Sequence, residues 1–129
     1  MIIKYYKDLY FSENLENKTR NGLLTFIDSL LKRDFSKREE KLIEDFVANA
    51  LNKKIYVLTM ASNEQNQVEF FKATYLKQDF FADQCLLVLG FADGLDEAKE
   101  LVKNMVDDSL FHTGNANLRE FFTPDTFSG

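Results

Sequence analysis

Ile55-Tyr56-Val57-Leu58-Thr59-Met60-Ala61 is a continuous apolar and β-branched run, and Leu86-Leu87-Val88-Leu89-Gly90-Phe91-Ala92 is a second. Apolar runs without alternation are the pattern of strands covered on both faces, the usual state of parallel strands in α/β proteins. Between the two runs the polar stretch Ser62 to Gln67 offers capping side chains. Val68, Phe71, Tyr75 and Leu76 then recur at helical spacing. After the second run, Asp93-Gly94 leads into Leu95, Ala98, Leu101, Val102, Met105 and Val106, the inward face of another helix, with Gly114 and Asn115 as its stop. Strand, helix, strand, helix from Ile55 to Leu110 predicts a βαβα unit with two adjacent parallel strands and a right-handed crossover.

Toward the N-terminus, Leu23, Phe26, Ile27, Leu30 and Leu31 line one helix face. Ser36-Lys37-Arg38-Glu39 has the form of a capping box for a second helix carrying Leu42, Ile43, Phe46, Val47, Ala50 and Leu51. The connection around Asp34 and Phe35 is short, which predicts a helical hairpin. The opening stretch Ile2 to Phe11 reads as a strand, with a short amphipathic helix as the rival. Asn117 to Phe122 forms a short final element and Thr123 to Gly129 a loose end, so that 117–129 is a C-terminal tail. The expected fold class is thus α/β: one domain over 1–129, its small sheet holding the parallel βαβα unit in the C-terminal half and the helical hairpin in the N-terminal half.

A chain of 129 residues with 45% hydrophobic residues, 13 Phe and 5 Tyr carries enough bulk for one core. Its net charge of −5 repels phosphate backbones and anionic lipid, so neither nucleic acid nor a membrane is an expected partner. Lys32, Arg33, Lys37, Arg38 and Lys41 are interleaved with acids, as on a solvated helix. One cysteine, Cys85, excludes an intrachain disulfide and a multi-cysteine metal site, and fits a reducing compartment. With no membrane-spanning run and no signal-peptide order at the start, the expected location is cytoplasmic.

Gly90-Phe91-Ala92-Asp93-Gly94-Leu95-Asp96-Glu97-Ala98-Lys99-Glu100-Leu101-Val102, with Thr113-Gly114 and Leu118-Arg119, resembles the C-terminal half of a family of small bacterial proteins of unknown function from Gram-positive anaerobes. Lys4-Tyr5-Tyr6-Lys7, Leu9-Tyr10, Ile55-Tyr56-Val57 and Asn66-Gln67 extend the resemblance to somewhat more than half the chain. It implies an α/β fold and brings no activity and no functional residues. The chain departs from that family between Gly22 and Asn52, where the sequence reads as two helices in place of one shorter segment.

If the two apolar strands are parallel, the loops after them emerge side by side at the carboxyl edge of the sheet, the common ligand position of open α/β folds. Asn63, Gln67, Asp93, Gly94 and Asp96 are the candidate ligand-binding residues there, for an anion or a nucleotide. Helix capping alone asks for the same residue types. Gly90-x-x-x-Gly94 lacks the lysine and hydroxyl of a phosphate loop. His112, the sole histidine, has no ligand partner at metal spacing and sits where it can meet helix-terminal carbonyls; Cys85 reads as a small buried hydrophobe. No catalytic residue, metal or cofactor is expected. The surplus of aromatics is the unusual feature, and Phe70, Phe80, Phe81, Phe121 and Phe122 are the candidate interface residues, a Phe-rich core being the other reading.

The expected function is a non-enzymatic protein acting through contacts with itself, as a homodimer, or with another protein. A small-ligand binder or enzyme built around Asn63 and Asp93 is one alternative, and an acidic immunity or antitoxin-like inhibitor another.

Overall fold

The computed structural model describes residues 2–13, 15, 55–61, 66–72 and 85–128. Alternating bulk at Ile3, Tyr5 and the following aromatics gives a ten-residue strand, β1 (Ile2–Phe11), in agreement with the strand reading of the opening stretch. The two apolar runs are β2 (Ile55–Met60) and β4 (Cys85–Asp93), and Val68–Lys72 is β3. A long helix, α1 (Leu95–Thr113), follows, then the single-turn α2 (Leu118–Phe121), a 3-10 turn at Pro124–Thr126 and a two-residue strand, β5 (Phe127–Ser128).

The sheet runs β3-β2-β4-β1-β5. β2 and β4 are neighbours, as expected, but antiparallel: Ile55 stands opposite Asp93 and Thr59 opposite Val88. β3 pairs antiparallel with β2 from Tyr56↔Lys72 to Met60↔Val68. The parallel neighbour of β4 is β1, from Ile2↔Cys85 to Phe11↔Phe91. These pairings overturn the predicted fold class. In place of a βαβα unit the described residues form a mixed five-stranded sheet, the helix predicted to open at Val68 is a strand, and one long helix follows β4. Gly22 to Asn52, read as the helical hairpin, lies outside the described residues, as do Tyr75 and Leu76; the described N-terminal part is the strand β1.

The reason lies in what an apolar run encodes. Val57, Leu58, Val88, Leu89, Phe91 and Ala92 are all buried, so β2 and β4 are covered on both faces. Two-sided burial produces the same side-chain pattern in either strand direction, and only the connection decides. Here Ala61 N–H donates to the Gln67 carbonyl at 3.0 Å, closing a hairpin between β2 and β3.

α1 lies on one face of the sheet and buries Ala98, Leu101, Met105 and Ser109. Met105 and Leu101 meet Leu58, Leu89 and Ala92 from the sheet and Leu118 and Phe122 from the chain beyond the helix. At its end Gly114 adopts φ 78°, the left-handed conformation that a glycine accepts freely, and its N–H donates to the Leu110 carbonyl. The expected glycine stop is therefore in place.

β1 and β4 lose register between Tyr5 and Tyr10: Tyr5 faces Val88 and Tyr10 faces Gly90, so Tyr6 to Leu9 bulge past Leu89. The bulge brings Tyr10 down onto Gly90. A Cβ at Gly90 would meet the Tyr10 carbonyl oxygen and lie 2.8 Å from the Tyr10 Cβ, so only glycine fits this crossing.

The chain end differs from the loose tail that the sequence suggests. Phe127 is buried, β5 pairs antiparallel with Tyr5 and Tyr6, and the Phe127 ring lies 5.8 Å from that of Tyr6. Three residues of 3-10 turn, held by Thr126 N–H on the Thr123 carbonyl, aim that ring back at the core.

Candidate functional site

The antiparallel sheet separates the residues expected to converge on a ligand. Gln67 sits beside Ala61, past the Met60 end of β2, whereas Asp93 is opposite Ile55 at the other end. Asn63 lies outside the described residues. The Gln67 side chain is engaged: its Oε1 accepts the Leu118 N–H at 2.5 Å, a donor left open at the start of α2. Beside it, Arg119 Nη2 donates to the Asn66 carbonyl at 2.9 Å and the Ala61 carbonyl at 3.3 Å. Gln67 and Arg119 together fasten α2 to the β2–β3 hairpin.

At the opposite end the Asp93 N–H donates to Ser12 Oγ at 3.0 Å, holding the last turn of β4 to the chain after β1. Gly94, rather than Asp93, is the residue capping α1, with no side-chain cap, while Asp96 lies in the first turn, where a carboxylate complements the helix dipole. Among the described residues no three His, Cys, Asp or Glu side chains gather as a metal site.

The predicted interface aromatics divide. Phe122 is buried in the core, its ring edge-on to Tyr6 at 4.8 Å. Phe121 is half-buried and lies flat against His112, with ring centroids 5.7 Å apart. Phe70 is half-buried on β3 and packs edge-on against Tyr56 at 6.1 Å. Phe80 and Phe81 fall outside the described residues.

The exposed apolar surface is elsewhere. Among the described residues the large hydrophobic side chains open to solvent are Leu95 (42%), Leu110 (48%) and Phe111 (85%), and all three belong to α1. Leu95 was expected to face inward, but at the first helical position it escapes the core that covers Ala98 and Leu101. Phe111 had a readable signal: six residues after Met105 on a helix, it is turned about 120° from the buried stripe. His112, the basic residue in the last turn of α1, meets the Phe111 ring edge-on at 5.0 Å, so Phe111, His112 and Phe121 make a row of rings at the end of the helix.

Cys85 is exposed, a correction to its reading as a buried hydrophobe, because it is the first residue of β4, paired with Ile2 at the sheet margin. The charged surface around α1 is mixed: Lys99, Glu100, Lys103 and Asp107 are all exposed on it. Among the described residues no helix is long and apolar enough to cross a membrane.

Compared with known proteins, the chain matches no family model, no curated protein and no solved structure.

Proposed function

We propose that the protein works by protein–protein contact, as a cytoplasmic homodimer without catalytic activity. One observation supports this reading above the others: the three exposed large apolar side chains among the described residues all lie on one helix, α1. Scattered single apolar residues are normal on a protein surface, whereas a concentration of them on one element marks an association surface. Leu95 and Leu110 open the two ends of one helix face, and Phe111 adds an exposed aromatic ring beside it.

The single cysteine accords with a reducing compartment. The net charge of −5 favours solubility and a weak, reversible association over a permanent one. Sedimentation equilibrium from micromolar to millimolar protein is the test. A mass rising toward twice that of the monomer is expected, and a monomer mass at every concentration would refute the homodimer.

A further inference from the structure

We infer that two copies pair through the outer face of α1, the helices running antiparallel about a two-fold axis near Lys103. The inference rests on the proposed homodimer and adds the surface that makes it. Leu95, Lys99, Lys103, Asp107 and Leu110 are all exposed along that face. Their spacing of three or four residues makes them neighbours on the helix.

A two-fold contact is self-complementary: where residue i of one copy meets j of the other, j also meets i. In antiparallel helices this fixes a single point of symmetry, and two independent pairs place it within about half a residue of each other, next to Lys103. Leu95 lies eight residues before Lys103 and Leu110 seven after it, so each leucine comes within one residue of the level of the other's counterpart. Lys99 lies four residues before Lys103 and Asp107 four after, so the same axis sets ammonium against carboxylate twice. A parallel arrangement in register sets Lys99 against Lys99 and Asp107 against Asp107, and like charges opposed in this way disfavour it. In the antiparallel pair Lys103 alone meets its own copy, at the axis, where its long side chain can turn out to water.

The contact is small. Nineteen residues of helix span about 28 Å, and one such seam buries less than the roughly 1,200 Å² of a standard interface, which sets the association in the weak class.

Charge reversal tests it by sedimentation equilibrium. Lys99→Glu and Asp107→Lys should each weaken dimerisation about tenfold, since each replaces two attractions by two repulsions. The combined K99E/D107K chain should recover to within about threefold of the wild type. All these side chains are exposed, so an unchanged melting temperature verifies the fold of each variant. A wild-type chain that stays monomeric overturns the homodimer and this inference together. A dimer indifferent to both single reversals leaves the homodimer standing and overturns the α1 surface. Weakening that the double reversal does not repair overturns the antiparallel register. As an independent reading, Lys103→Cys in a Cys85→Ser background should oxidise to a covalent dimer, because residues at the axis approach within disulfide range; failure to crosslink under conditions where that variant dimerises overturns the axis.

Discussion

The Tyr10 hydroxyl donates a 2.6 Å hydrogen bond to Asp108 Oδ2, joining β1 to α1 across 98 residues of sequence. Tyr10 also lies against the Phe122 ring at 6.2 Å, edge-on, and stacks beside Tyr6 at the same separation. The bond thus closes an aromatic cluster that fixes the helix over the bulged part of β1.

Burial first, then the hydrogen bond to Asp108 and the charges of Asp108 and Asp8, push the Tyr10 phenol well above its ordinary value of 10. A folded-state value raised above the unfolded one means that the native chain holds the proton more tightly, so this contribution is full below pH 10 and is lost as pH climbs beyond it. Tyr10→Phe should cost about 1 kcal/mol at neutral pH, below the usual range for a bond to a charged group because the pair is only part-buried. The gap between variant and wild type should narrow above pH 10, as read from urea denaturation at stepped pH. Burial, Asp8 and Asp108 raise Tyr6 in the same direction, so the variant keeps part of the alkaline loss.

Gly90→Ala should destabilise by about 2–3 kcal/mol, the upper part of the range for overpacking, because the obstacle is the Tyr10 backbone rather than a movable side chain. Gly114→Ala meets nothing within 4 Å and carries only the left-handed backbone cost of about 1 kcal/mol. Equal losses for the two in chemical denaturation would contradict the tight crossing of β1 over β4.

How far the sequence carries the fold depends on the distance over which each element is decided. α1 and its glycine stop are legible because both follow from neighbours within a few residues: Ala98, Leu101 and Met105 make the stripe and Gly114 ends it. The direction of β4 is not, since its parallel partner β1 lies some 80 residues away and leaves no mark on the pattern of β4 itself. Val68-Glu69-Phe70-Phe71-Lys72 is ambiguous for another reason. Val68 and Phe71 satisfy a helical period, while Val68, Phe70 and Lys72 satisfy a strand period, and five residues cannot separate them. Gln67 and Asp93 lie at opposite ends of β2 for the same reason, since they share one edge of the sheet only in a parallel arrangement. The surface on α1 was half legible: a helical wheel turns Phe111 outward, whereas the exposure of Leu95 depends on where the core ends.

Gln67→Ala removes the acceptor of the Leu118 N–H and should cost about 1 kcal/mol, the usual price of an opened helix-terminal donor. The readout that separates this role from a general loss of stability is amide exchange. Leu118 and Phe122, whose N–H donates to the Leu118 carbonyl at 2.8 Å, should lose protection well before the amides in the middle of α1. Uniform loss across α1 would show that Gln67 does not hold α2 in place.

Phe127→Ala tests whether the chain end belongs to the core. The ring is buried, stands 5.8 Å from Tyr6 and is carried by a strand only two residues long. So short a strand gains little from its ladder, and its attachment depends on that one side chain. The expected loss is about 3 kcal/mol, within the range for emptying a buried aromatic site. Phe111→Ser is the matched control: its ring is exposed, and removing it should change stability by no more than about 0.5 kcal/mol. The pair separates two uses of the same residue type, a phenylalanine that closes the core and one held out to solvent. Similar losses for both would mean that Phe111 packs against the protein itself, which would leave Leu95 and Leu110 as the exposed apolar side chains of α1.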